Sequence, residues 1–99
     1  MVKLVAIYKM PEDVEAFDNH YEEVHSPLAA SMPGLIKLEV GRVYGTPMGE
    51  SDLHLIAEMY FDNQEALTNA LSSPEGRAAG KDLRGFAGKL VSMYFVEVV

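Results

Sequence analysis

The groups in this chain that could move a proton near neutral pH are three histidines, one glutamate in an apolar run and several tyrosines. An imidazole titrates at about 6.5 and can serve there as acid or base. His20 and His25 lie in the stretch 17–35, FDNHYEEVHSPLAASMPGL. Val14, Phe17, Tyr21, Val24 and Leu28 recur there at spacings of three, four, three and four, which makes one apolar stripe of a helix. The two histidines flank that stripe on opposite sides. Pro27 lacks an amide hydrogen and would clash with the Glu23 carbonyl, so a regular helix should end or kink at Val24 to Ser26. His25 then sits beside a break. It is either an acid–base group or a histidine that bonds a backbone carbonyl.

Glu58 lies between Ala57 and Met59 in the run LHLIAEMYF. Burying a carboxylate without a partner is costly. Facing a dry cavity, its pKa would rise, which suits a proton donor or acceptor. Alternatively it pairs with Arg42 or a lysine across a sheet. Strand alternation puts His54, Ile56 and Tyr60 on the same face. Tyr8 could polarise a substrate oxygen, or simply pack. Tyr21 fits core packing with its hydroxyl satisfied. His20 and His25 are five apart, whereas four is the usual zinc spacing, so neither a metal nor another cofactor is expected. The candidate catalytic set is therefore His25, Glu58 and Tyr8. The candidate substrate contacts are His20, Tyr21, His54 and Tyr60.

The elements that must position these residues follow from patterning. Residues 2–10, 35–44, 53–61 and 89–99 are apolar, partly alternating runs bounded by glycine, proline or polar residues, and read as strands. Gly41 marks a possible bulge. A first helix follows Asp13, a good N-cap, with Glu15 in its first turn. The acidic residues Glu12, Asp13, Glu15, Asp18, Glu22 and Glu23 read as a solvated face. Asp62 to Glu65 reads as a capping box for a second helix that buries Ala66, Leu67, Ala70 and Leu71. Ser73 caps a further helix opened by Pro74, which Gly80 and Gly85 should weaken or break. Ala78, Ala79, Leu83, Phe86 and Ala87 form its apolar side.

The resulting order, βαββαβ, is an α+β, ferredoxin-like arrangement: a four-stranded antiparallel sheet with helices on one face. Both faces of the first and fourth strands carry apolar residues, yet helices cover only one. A second copy is expected on the other face, giving a homodimer with facing sheets.

The stretch 17–35 resembles the signature of the EthD family, in which an aromatic, then His or Tyr, then an aromatic lead to H-x-P-L and to P-G-L. IAEMYFDN and SPEGRAAGKDLRGFA are similar to that family's third strand and second helical region. The resemblance covers nearly the whole chain and implies a single dimeric α+β barrel domain over 1–99. It also implies small apolar or aromatic organic substrates. On the family's H-x-P-L motif the histidine is His25.

The totals restrict the partners. With 99 residues and a net charge of −7, the chain is small and acidic, and its eight Lys and Arg residues form no evident cluster. That disfavours nucleic acid and anionic membranes. Cysteine is absent, which removes disulfides and thiolate chemistry. No apolar run could span a bilayer, and the alternating N-terminus does not read as a signal peptide, so a cytoplasmic protein is the simplest expectation. G-x-G-x-x-G, Walker and G-x-S-x-G motifs are missing. Two functions remain. One is a cofactor-free enzyme of monooxygenase or lyase type acting on a small hydrophobic compound, in degradation or a polyketide-type pathway. The other is a non-catalytic binding or accessory module for a partner oxidoreductase. A haem-linked role rests on fold analogy alone.

Overall fold

The computed structural model describes residues 1–99. Strands β1 (Val2–Lys9), β2 (Lys37–Arg42), β3 (Leu53–Phe61) and β4 (Val91–Glu97) form one antiparallel sheet in the order β2-β3-β1-β4. Helices α1 (Val14–His20) and α2 (Ser26–Ala30) lie between β1 and β2, and α3 (Gln64–Ser72) and α4 (Pro74–Ala87) lie between β3 and β4. This is the ferredoxin-like βαββαβ order.

Alternation divides the sheet into two faces. In register, Leu4 faces Met59 and Phe95, Ala6 faces Ala57 and Met93, and Tyr8 faces Leu55 and Val91. The β1 and β3 residues of these rows meet Phe17, Tyr21, Leu67, Ala70, Leu83 and Ala87 from the helices and form the core with them, while Met93 and Phe95 on the edge strand β4 stay exposed. Tyr8 and Phe61 are its largest fully buried side chains. The opposite face carries Val5, Ile7, Ile56, Tyr94 and Val96. It also carries the pairs Lys3–Glu58 and Lys37–Glu39, so it is apolar toward β1 and β4 and charged toward β2.

Several local expectations need correction. The register slips between Tyr8, opposite Leu55, and Lys9, opposite Leu53. His54 is the extra residue of that bulge, and the bulge turns it off the Glu58 face onto the helix side, where it is buried. Gly41 pairs regularly with Ile56 and is no bulge. Asn63, not Asp62, caps α3, its side chain accepting from the Ala66 amide at 2.8 Å. The caps of Asp13 and Ser73 stand as expected, accepting from the Ala16 and Gly76 amides at 3.0 Å each.

Two helical features differ more deeply. The helix does not end before Pro27. It widens into a π turn over Tyr21–His25, with the Ser26 amide reaching back to the Tyr21 carbonyl, and continues as α2. Lengthening the bond step from four residues to five removes the need for the amide that Pro27 lacks. Helix α4 is likewise unbroken across Gly80 and Gly85. A glycine costs roughly 1 kcal/mol in a helix interior. Burial of Ala79, Leu83 and Ala87 against the sheet outweighs that. Gly76 is required by packing, because a Cβ there would overlap the Ala70 carbonyl oxygen and the Leu71 backbone. No helix is long and apolar enough to cross a membrane.

Candidate active site

A cavity of about 450 Å³ lies between the sheet and helices α2 and α4. Leu4, Ala6, Met59 and Met93 line it from the sheet, and Leu83 from α4. Its wall along α4 also includes Gly76, Ala79 and Gly80, small residues that leave the space open. The polar side chains in its lining are Tyr8, Tyr21, His25 and Arg84, with Tyr94 of the edge strand β4. Volume and apolar lining match sites for small organic molecules.

The π turn sets the histidine geometry. At 3.6 residues per turn, positions five apart lie about 140° around a helix. The wider turn brings His20 and His25 to one carboxylate instead. Asp82, from the middle of α4, meets His25 Nδ1 through Oδ2 at 3.0 Å and His20 Nε2 through Oδ1 at 2.8 Å. A carboxylate accepts, so both imidazole nitrogens donate to it. The proton of neutral His25 is then on Nδ1, and Nε2 is the bare basic nitrogen. Nε2 has no hydrogen-bond partner within the chain and is not fully buried, and His25 lines the cavity. Burial pushes the His25 pKa down; the hydrogen bond and charge of Asp82 oppose that, and His20 adds to the lowering. At neutral pH His25 is an oriented, unprotonated base.

The tyrosines complete the arrangement. Tyr8 is only 1% exposed, lines the cavity, and its hydroxyl has no hydrogen-bond partner within the chain. Burial pushes the Tyr8 pKa far up, with Tyr21 and Asp82 adding to it. Burial pushes Tyr21 up to about 12. Both stay protonated and can donate to a substrate oxygen. Their rings meet edge to face at 5.7 Å, and Phe86 packs at 5.1 Å from His25 and 4.5 Å from His20. Hence His25, Asp82 and the tyrosines are held by an aromatic cluster.

The remaining candidates lie elsewhere. Glu58 and Tyr60 sit on the face away from the cavity, so Glu58 and His25 cannot share a substrate within one chain. Glu58 pairs with Lys3 at 3.1 Å, and Lys37 lies 4.8 Å over the Tyr60 ring. His54 donates to Asp18 at 2.7 Å, and Arg42 holds the other Asp18 oxygen at 3.2 Å. Asp18 is therefore a paired anion and not part of a merely solvated face. His20 is behind Asp82, outside the cavity lining.

With that geometry in place, comparison with known proteins identifies the family. Residues 9–89 match the EthD domain model. The chain belongs to the EthD family. An EthD family protein from Bacillus halodurans has 48% identity and a TM-score of 0.97, covering 100% of this chain and 99% of that one. An uncharacterized 11.0 kDa protein of the thcB-thcC intergenic region of Rhodococcus erythropolis is 30% identical, over 98% of this chain and 94% of its own length. More distant structures share the fold alone. A dimeric ferredoxin-like protein of unknown function from Bacteroides fragilis has 24% identity and a TM-score of 0.69, covering 98% of this chain and 95% of that one. SnoaB, a cofactor-independent oxygenase from Streptomyces nogalater, has 15% identity and a TM-score of 0.68, covering 99% of this chain and 92% of that one.

In this EthD family member the residue that sequence patterning misses is Asp82. A signal for it exists. Asp82 is four residues after Ala78, three after Ala79 and four before Phe86, so it interrupts the apolar side of α4. A carboxylate in that row needs a partner, and the two histidines supply it. Asp18, four after Val14 and three before Tyr21, carries the same signal.

Proposed function

We propose that the protein is an enzyme that removes a proton from a small, largely apolar carbonyl or phenolic compound, with His25 as general base. The observation that carries this is the imidazole held by Asp82, with a free nitrogen, in the lining of an apolar cavity. In the step, Nε2 takes a proton from carbon next to a carbonyl. The C–H electron pair becomes the C=C bond and the carbonyl π pair moves to the oxygen, giving an enolate. The Tyr8 and Tyr21 hydroxyls donate to that oxygen as its charge grows. The enolate then expels a leaving group, is reprotonated elsewhere, or is oxidised by molecular oxygen, its carbon forming a C–O bond to give a hydroperoxide that takes the proton back from His25. The first two are lyase or isomerase outcomes. The third is the cofactor-free oxygenase outcome, and it gains support from the SnoaB likeness. Asp82 orients the imidazole, and His20 orients Asp82.

Solvent deuterium exchange into a panel of aromatic ketones and 1,3-dicarbonyl compounds tests the reading. Wild type should exchange at least one of them, and His25→Ala should lose about 100-fold or more. Equal rates would overturn it. The apolar lining favours one alternative, a binding or accessory module without chemistry. A compound that co-purifies, shows no exchange and leaves unchanged in native mass spectrometry would support that alternative.

The proposal includes a homodimer through the outer sheet faces, closing an α+β barrel. Val5, Ile7, Ile56, Tyr94 and Val96, on a face without helices, support it, as does the dimeric B. fragilis relative. Sedimentation at micromolar concentration should give a dimer. The absence of cysteine and of any membrane-crossing helix supports a cytoplasmic location, and the net charge of −7 supports a partner other than nucleic acid.

A further inference from the structure

Arg84 is an exposed cation at an apolar cavity and forms no salt bridge within the chain. By contrast Lys3, Lys37 and Arg42 each hold a carboxylate. The guanidinium folds back along α4: a Cβ placed on Gly80 would lie 3.5 Å from Nη1. Gly80 lines the same cavity, so the guanidinium lies beside the cavity wall.

The segment 77–89 holds Arg77, Lys81, Arg84 and Lys89, four of the eight basic residues of a chain whose net charge is −7. Its one acid is Asp82, already shared by two histidines. Arg84 is the one of these four that lines the cavity. It also borders a neighbouring cleft with Lys89, Glu12 and Asp13, so the charge there is mixed and the uncompensated cation is on the cavity side. A cation beside an apolar space selects by charge which small molecules accumulate there.

We infer that Arg84 is a specificity residue, reading a carboxylate on a ligand whose apolar body fills the cavity. A planar guanidinium matches a carboxylate in two-point geometry, which a lysine does not. The substrate class is then an aromatic or alicyclic acid. This rests on the proposed binding cavity but requires no chemistry at His25.

A matched pair of probes tests it: 2-naphthoate and its neutral isostere 2-naphthamide, titrated calorimetrically into the wild-type protein and Arg84→Gln at low and at physiological salt. Wild type should bind the acid about tenfold or more tightly than the amide, with the ratio falling as salt rises. Arg84→Gln should bring the two probes within about twofold, chiefly by weakening the acid. Equal binding of acid and amide to wild type would overturn the role of Arg84 and leave the cavity reading intact, as would a preference that survives Arg84→Gln. If neither probe binds, the cavity is not a site for such compounds, and this inference falls with the substrate part of the proposed function. Arg84→Lys separates shape from charge. It should keep only part of the preference for the acid, and full retention would overturn two-point recognition.

Discussion

Replacing Asp82 by Asn tests whether the histidine pair is a device or a coincidence of packing. The change keeps size and shape but turns one acceptor oxygen into a donating amide nitrogen. Asp82 accepts from two imidazoles, and an amide can accept from only one side. If the amide nitrogen turns toward His25, the Nδ1 proton has no acceptor. The imidazole then moves its proton to Nε2. If it turns toward His20, His25 keeps a neutral acceptor in place of a charged one. Hydrogen bonds to a charged partner contribute about 1.5–3 kcal/mol each and neutral ones about 1 kcal/mol. The Asp82 side chain is 17% exposed, so little is lost to solvent screening, and two bonds weaken. A net loss of about 1–3 kcal/mol follows, or about 5–15 °C in Tm for a domain of this size. In catalysis the wrong tautomer of an Asp-oriented histidine costs on the order of 10⁴-fold in a serine protease. A loss of about 10²–10⁴ is expected here, with ligand binding little changed because Asp82 does not line the cavity.

The assay needs no substrate. Long-range proton–nitrogen NMR at pH 7.5 distinguishes an imidazole protonated at Nδ1 from one protonated at Nε2. His25 should be protonated at Nδ1 in the wild-type protein, and Asp82→Asn should shift it partly or wholly to Nε2. A wild-type His25 protonated at Nε2 would refute the orientation argument. So would an Asp82→Asn protein with unchanged tautomer and unchanged deuterium exchange.

Further outcomes follow from the same structure. Burial first, then His20, holds the His25 pKa below its usual value, with Asp82 opposing; the unfolded chain therefore gains this proton before the folded chain does as pH falls from about 6.5. Stability from this group is complete above that pH and is lost as pH falls through the folded pKa, so His25→Gln should flatten the acid side of a Tm-against-pH curve, and an unchanged slope would refute the assignment. Tyr21, raised to about 12, and Tyr8, raised further, are affected in the opposite sense: their contribution is complete below about pH 10 and declines as pH rises, so alkaline unfolding should move to higher pH in Tyr8→Phe and Tyr21→Phe, as read by circular dichroism. Gly76→Ala should cost about 3 kcal/mol in chemical denaturation, because α3 and α4 must separate to admit the methyl group. Glu58→Gln should leave deuterium exchange within about twofold and cost about 0–1 kcal/mol of stability, since its pair with Lys3 is partly exposed and lies across the sheet from His25; a loss as large as that of His25→Ala would place Glu58 in the reaction.

What the sequence makes legible is what short-range physics controls. The strands follow from alternation, and the caps at Asp13 and Ser73 follow from side chains that bond amides three residues ahead. The histidine of the H-x-P-L motif was also visible. What stays hidden depends on small shifts of phase. One extra residue at the bulge moves His54 from the outer face to the helix side, because a strand period of two turns any slip into a change of face. One longer turn at Tyr21–His25 brings His20 and His25 to the same side. Neither shift changes composition or hydrophobic pattern, so periodicity alone assigns both histidines to the wrong company. The same limit hides Asp82. Its partners are 57 and 62 residues away in sequence, and only the packing of α4 against the first helical region brings them together.

The chain builds three imidazole–carboxylate pairs on two aspartates, and of His25–Asp82 and His54–Asp18 only the first is read as a site. His54 with Asp18 and His25 with Asp82 have similar distances, 2.7 and 3.0 Å. Both pairs border the same aromatic cluster, His54 against Phe17 at 5.5 Å and His25 against Phe86 at 5.1 Å. They differ in what lies beyond them. Asp18 is also held by Arg42, and His54 borders no part of the cavity, so that pair joins β2, β3 and α1 and leaves no basic nitrogen facing a ligand. Asp82 is held by a second imidazole instead of a cation, and His25, with its free nitrogen, lines a space that a small molecule could fill. A lone His–Asp distance therefore says little about chemistry. The informative combination is the pair, the vacant nitrogen and the apolar volume beside it, which this fold supplies at His25 and not at His54.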